Sequence, residues 1–195
     1  RKGIMKKQIS VLLAMSLLLI ALLSGCSKTP AEISAPEWET ASGTASGFSY
    51  EVPADWTTTE DVTGQGSIIY IPADADVSAG TSNVNILVQD VSGQKAVSMK
   101  DMKAALESDL ENQLISNGFE KVENLKVEEL EAPIGSVCSV SYDTYLSGMK
   151  FTQTQFYPLI DDYIIVITAT NVGDEVAPSV EEVAEYMALT LKKAE

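Results

Sequence analysis

Tyr163-Ile164-Ile165-Val166-Ile167-Thr168-Ala169-Thr170 is the stretch that decides the fold. Its apolar residues fall on both alternating faces through Val166 and Ile167, which marks a central strand covered on both sides. It follows Asp161-Asp162, a turn, and precedes a helical pattern. Ser179-Val180-Glu181-Glu182 has the form of a capping box after Pro178. Val180, Val183, Ala184, Met187, Ala188 and Leu191 then make one buried stripe, and Lys192-Lys193 suits the negative end of the helix dipole.

Upstream of the central strand, Val137 to Leu146 alternates, with Cys138, Val140 and Tyr142 on its covered face. Ser147-Gly148 is a two-residue hairpin connection, and the return strand runs Met149 to Tyr157. That return strand carries Phe151, Gln153, Gln155 and Tyr157 on one face. A first helix starts at Ser98, where Ser98-Met99-Lys100-Asp101 again reads as a capping box. Met99, Met102, Leu106, Leu110 and Leu114 form its stripe, Asn117-Gly118 ends it, and Phe119 folds back over the last turn. Phe119–Val122 and Leu125–Leu130 fit helix or strand by pattern, and strand is favoured because the helix has just ended. Phe48–Val52, Thr57–Thr59, Ser67–Ile71 and Asn83–Val91 read as further strands. The sum is an α+β domain: an antiparallel β-sheet of about six to seven strands flanked by two main helices.

The N-terminal part has a different character. Met5-Lys6-Lys7-Gln8 precedes about fifteen mostly apolar residues from Ile9 to Leu23, a secretory signal in which Met5 reads as the start. The run is shorter than the roughly 20 residues that span a bilayer as a helix. It ends in Leu23-Ser24-Gly25-Cys26, which resembles the bacterial lipoprotein lipobox. The resemblance implies cleavage before Cys26 and a diacylglyceryl group on its sulfur, an anchor of two acyl chains in a chain that does not span the membrane. The expected division is a lipoprotein signal peptide over 1–25, a lipidated Cys26 and flexible tether over 26–47, and one domain over 48–195. As a coil the tether spans about 25 Å. Trp38 is out of character in it, with docking on the domain, contact with lipid and plain exposure all open.

Composition narrows function mainly by exclusion. The net charge is −15, and residues 1–25 hold four of the 13 cations and none of the 28 anions. The mature chain therefore sets nine cations against 28 anions, a net of −19 that repels nucleic acid and anionic head groups alike. With no histidine, His-based triads, His general bases and nearly all zinc sites are excluded. With Cys26 committed to lipid, Cys138 is left without an intrachain disulfide partner and reads as a buried structural thiol. Gly64-Gln65-Gly66 lacks the third Gly and the Lys-Ser/Thr of a phosphate cradle. Asp74 and Asp76 are the weak metal candidates, because two aspartates two apart could open a calcium loop; the Gly and distal Glu of that pattern are missing. No Asp/Glu pair stands out for glycoside chemistry.

The opening Phe48-Ser49-Tyr50-Glu51-Val52-Pro53-Ala54-Asp55-Trp56, the Tyr163–Thr170 strand and the closing helix resemble the PsbP/Mog-like family, which includes DcrB/LpqN-type bacterial lipoproteins. Asp55 departs from the Gly that bacterial members often carry before the Trp, and Leu189-Thr190-Leu191 from their terminal Ser-Phe. The resemblance implies an α/β/α sandwich and an accessory or adaptor role rather than an enzyme, with no cofactor and no catalytic residue to transfer. The expected function is a lipid-anchored, non-catalytic accessory domain on the outer face of a bacterial membrane. Its expected partners are the membrane, through the anchor, and a membrane-associated protein. The alternative is a lipoprotein that binds a small ligand or cation in a sheet–helix cleft or at acidic loops (Asp74/Asp76, Asp161/Asp162).

Overall fold

The computed structural model describes residues 33–59, 66–75, 80–93 and 98–194. The signal-peptide and lipidation readings, Cys26 included, lie outside the described residues, as do Asp76, Gly64 and Gln65.

Ten strands and two helices follow one another: β1 (Thr40–Ala45), β2 (Phe48–Pro53), β3 (Thr57–Thr59), β4 (Ile68–Ile71), β5 (Asn83–Asp90), α1 (Met99–Ser116), β6 (Val122–Ala132), β7 (Gly135–Leu146), β8 (Met149–Ile160), β9 (Tyr163–Asn171), α2 (Val180–Thr190) and β10 (Lys192–Lys193). Seven strands form an antiparallel sheet in the order β3-β4-β5-β9-β8-β7-β6, and β1-β2-β10 form a second, smaller sheet. The strand with two apolar faces, β9, is thus fourth of seven. Its Ile165, Ile167 and Ala169 join the larger core, under α2 and the small sheet, while Ile164 and Val166 face the α1 side. The order of layers is α2 with the small sheet, then the seven-stranded sheet, then α1.

Local chemistry accounts for the element ends. The β7–β8 connection places Ser147 at φ 54° and Gly148 at φ 75°, the pair of positive values that a tight twisted hairpin requires. At the end of α1 the Phe119 N–H donates to the Leu114 carbonyl and the Gly118 N–H to that of Ile115, with Gly118 at φ 102°. Those are the two bonds of a Schellman stop. The Ser179–Glu182 capping box is complete in both directions. At Ser98 the hydroxyl accepts from the Asp101 N–H, but the Asp101 carboxylate takes the Ser98 hydroxyl, being one methylene shorter than the Glu of a full box.

Two expectations need correction, on the tether and on Lys192-Lys193, and of the three places open to Trp38 the structure shows docking. The small sheet was not foreseen, and it takes its first strand from the segment expected to be tether: Thr40–Ala45 pairs antiparallel with β2 from Thr40↔Pro53 to Ala45↔Phe48. Trp38 is docked too, edge-on to Tyr186 of α2 at 5.8 Å. Lys192-Lys193 does not continue the last helix. The chain turns extended at Leu191, whose side chain is buried at 1% exposure, and the two lysines pair with Ser49 and Phe48 of β2. Burying Leu191 in the core is favourable by about 1.5–3 kcal/mol, more than one further helical residue returns.

The small sheet is seated through aromatic rings. Phe48 meets Tyr163 at 5.3 Å, and Tyr50 meets Tyr70 edge-on at 6.1 Å with their hydroxyls 3.0 Å apart. Gly43 of β1 lies directly over that pair: a Cβ there would overlap the Tyr50 ring and come 2.7 Å from Tyr70 Oη. Gly43→Ala is expected to cost about 1–3 kcal/mol in urea unfolding. Gly43→Ala/Tyr70→Phe, which relieves the contact with the hydroxyl but leaves the Tyr50 ring, should cost somewhat less than the two single changes together; strict additivity would deny the contact with Tyr70.

Candidate functional site

Helix α1 is seated by only half of its stripe. Leu110 and Leu114 are buried with Val140 and Tyr142 of β7, and Phe119, Val122, Leu125 and Val127 close the cluster around them. Met99, Met102 and Leu106, one to three turns earlier, are only half-buried. The helix packs on β6 and β7 at one side of the sheet, and its N-terminal half overhangs the middle strands. Between this overhang and the faces of β5, β9 and β8 is a groove of about 320 Å³.

The strand registers fix its floor. Asn85 of β5 stands opposite Thr168 of β9, and Thr168 opposite Gln155 of β8, a polar row across three strands. Leu87 stands opposite Val166, and the Tyr157 ring lies beyond, in an apolar row beside it. Gln155 Nε2 donates to Thr168 Oγ1 at 3.4 Å, and Tyr157 Oη donates to Gln155 Oε1 at 2.6 Å. Met102, Leu106 and Gln113 of α1 form the opposite wall. Burial pushes the Tyr142 and Tyr157 hydroxyls well above the ordinary tyrosine range, so both stay protonated at neutral pH. Not one of the described residues that line the groove carries a charge.

Other polar groups are committed to structure. Cys138 is fully buried on the covered face of β7, and burial pushes its thiol up to about 11; it is a poor nucleophile at neutral pH. Asp174 borders a wider surface concavity, yet it holds the chain together. It accepts from the hydroxyl and backbone N–H of Ser82 and from Thr81, and the Ser82 hydroxyl in turn accepts from the Val172 N–H. Of the acidic-loop candidates, Asp74 is exposed, and Asp161 is engaged by Lys193. Among the described residues no three Asp, Glu or Cys side chains are grouped to hold a metal ion. No helix among them is long and apolar enough to cross a membrane.

Two solved structures illustrate the likeness of this chain in fold. The solution structure of cyanobacterial PsbP (CyanoP) from Synechocystis sp. PCC 6803 aligns over 88% of this chain and 98% of its own, at 12% identity and a TM-score of 0.56. The fold is PsbP-like. The crystal structure of LpqN, involved in cell envelope biogenesis of Mycobacterium tuberculosis, aligns over 82% of this chain and 93% of its own, at 11% identity and a TM-score of 0.52. At such identities the likeness carries the architecture and no residue's role. No family model matches the chain, and no curated protein matches it.

Gln153 and Gln155 share a strand face with Tyr157 in the sequence pattern, which by itself does not mark them as a site. Two glutamines on a covered sheet face were the available signal. At the far end of β7, Asp143 is 6% exposed and accepts from Thr152 Oγ1 at 2.6 Å, Asn124 Nδ2 at 2.7 Å and Lys150 Nζ at 3.0 Å. Burial alone would raise its pKa, but the bonds from Thr152, Asn124 and Lys150 outweigh it and hold the carboxyl below the usual range. Because the folded value is the lower one, its stabilisation is complete above the unfolded carboxyl pKa of about 3.9 and is lost as pH falls through the folded value. Asp143→Asn sets an amide against the Asn124 donor and should cost about 1–3 kcal/mol at pH 7. In urea unfolding from pH 7 to 2.5, the gap between wild type and variant should close below about pH 4; a gap independent of pH would refute this.

Proposed function

We propose that this chain is a lipid-anchored, non-catalytic accessory domain on the outer face of a bacterial membrane, and that it binds a ligand in the groove between α1 and the sheet. The carrying observation is the groove itself. It is a concave, largely apolar site with a few placed amides and hydroxyls, the usual make-up of a small-molecule site. The groups around it favour binding over turnover: among the described residues its lining offers no ionised acid, base or nucleophile. Of the two forms this reading takes in the sequence, geometry favours the ligand binder over the protein adaptor, because the cleft is small and roofed by a helix. The lipobox at Leu23-Ser24-Gly25-Cys26 supports the anchor, and the likeness in fold to an envelope protein agrees with the location.

Two measurements test it. Cys26→Ala should move the protein from the membrane fraction to the soluble extracytoplasmic fraction with its circular dichroism unchanged; retention in the membrane would refute the anchor. A photocrosslinking amino acid at position 102, irradiated in intact cells, should give a discrete small-molecule adduct in the intact-mass spectrum. The same group at the exposed position 129 of β6 should give none. A protein-sized adduct at 102 would favour the adaptor, and equal labelling at both positions would remove the groove as a site.

A further inference from the structure

We propose that the groove selects an uncharged small molecule, with an apolar ring or chain at one end and a neutral hydrogen-bonding group at the other. The inference rests on the groove being the binding site and names what it accepts.

Charge provides the first argument. The chain carries 13 cations and 28 anions, yet the described lining has neither. An ionic ligand would lose its hydration there and find no counter-charge, a cost that a neutral ligand escapes. The second argument is the division of the floor. Leu87 and Val166 offer an apolar surface, and the row Asn85–Thr168–Gln155 stands beside it. The Gln155 amide uses one N–H on Thr168 and one acceptor position on Tyr157, so one of each remains. No described residue engages the Asn85 side-chain amide. Amides with spare donors and acceptors suit a hydroxyl or a carboxamide, which can donate and accept at once. Size is the third argument: about 320 Å³ is at the lower end for ligand pockets and too small for a folded partner's edge.

A matched trio of probes isolates charge from shape: 2-naphthamide (neutral), 2-naphthoate (anionic) and 2-naphthamidine (cationic). The full chain in lipid nanodiscs, labelled at its methionine methyls, reports by NMR. Met102 lines the groove, and Met149, at 59% exposure on the β7–β8 hairpin, serves as the internal control. Naphthamide should shift the Met102 methyl saturably and leave Met149 in place, with the two ions binding about tenfold more weakly or worse. Gln155→Glu, nearly isosteric, should invert the order in favour of naphthamidine. Equal binding of all three, or preference for an ion by the wild type, would overturn the inference while leaving the groove as a site. No saturable Met102 shift with any probe would also overturn it, and crosslinking at position 102 then decides separately whether the groove binds anything.

Discussion

Coverage of the seven-stranded sheet is the constraint from which the rest follows. Seven strands at about 4.8 Å spacing are some 29 Å wide, whereas one helix with its side chains covers about 10 Å. On one face the chain meets this width with two elements, α2 and the β1-β2-β10 sheet, and the residues beneath them are almost dry: Val84, Ile165, Ile167 and Ala169 are at most 1% exposed. On the other face, among the described residues, only α1 is available. Seated on β6 and β7 by Leu110 and Leu114, it leaves the faces of β5, β9 and β8 partly uncovered. The groove is therefore a consequence of the element count, and its floor mixes buried residues such as Ile164 and Leu87 with half-buried ones such as Asn85, Gln155 and Val166. Amides, hydroxyls and a tyrosine alternate with Leu87, Ile164 and Val166, in place of the apolar face beneath α2.

This also explains which parts were legible in the sequence. Where a local chemical rule decides, the reading held: the Asn117-Gly118-Phe119 stop, the Ser147-Gly148 turn, the Ser179 box and the two-faced β9 are each set by residues within a few positions of one another. Where a distant partner decides, it did not. Thr40–Ala45 is small, polar and aperiodic and becomes a strand only because β2 lies beside it, with Gly43 allowing the backbone close to Tyr50 and Tyr70. Lys192-Lys193 suits a helix end, but the pull of buried Leu191 toward the core redirects it to β2. The groove belongs to the second kind. The amphipathic stripe of α1 specifies that the helix is covered, but not which strands cover it.

The chemistry of the polar groups is uniform in kind. Asp143, Asp174 and Cys138 are the groups a search for catalysis would take first, and each is spent on structure: Asp143 on Thr152, Asn124 and Lys150, Asp174 on Ser82, Cys138 in packing. What remains at the groove is neutral. The chain's 28 acidic residues lie elsewhere than on the described lining of the groove.

For the Cys26 anchor proposed above, the docking of Trp38 shortens the free segment that would connect lipid to domain. Twelve residue steps separate the two, so their Cα atoms are at most about 43 Å apart by any path, well short of the roughly 75 Å that a tether reaching Gly47 would permit. Trp38 packs on Tyr186 of α2, and the groove opens on the other face of the seven-stranded sheet, under α1. A lipid on Cys26, as proposed above, would therefore hold the domain through a segment docked on the α2 face, and the proposed groove lies across the sheet from that docked segment.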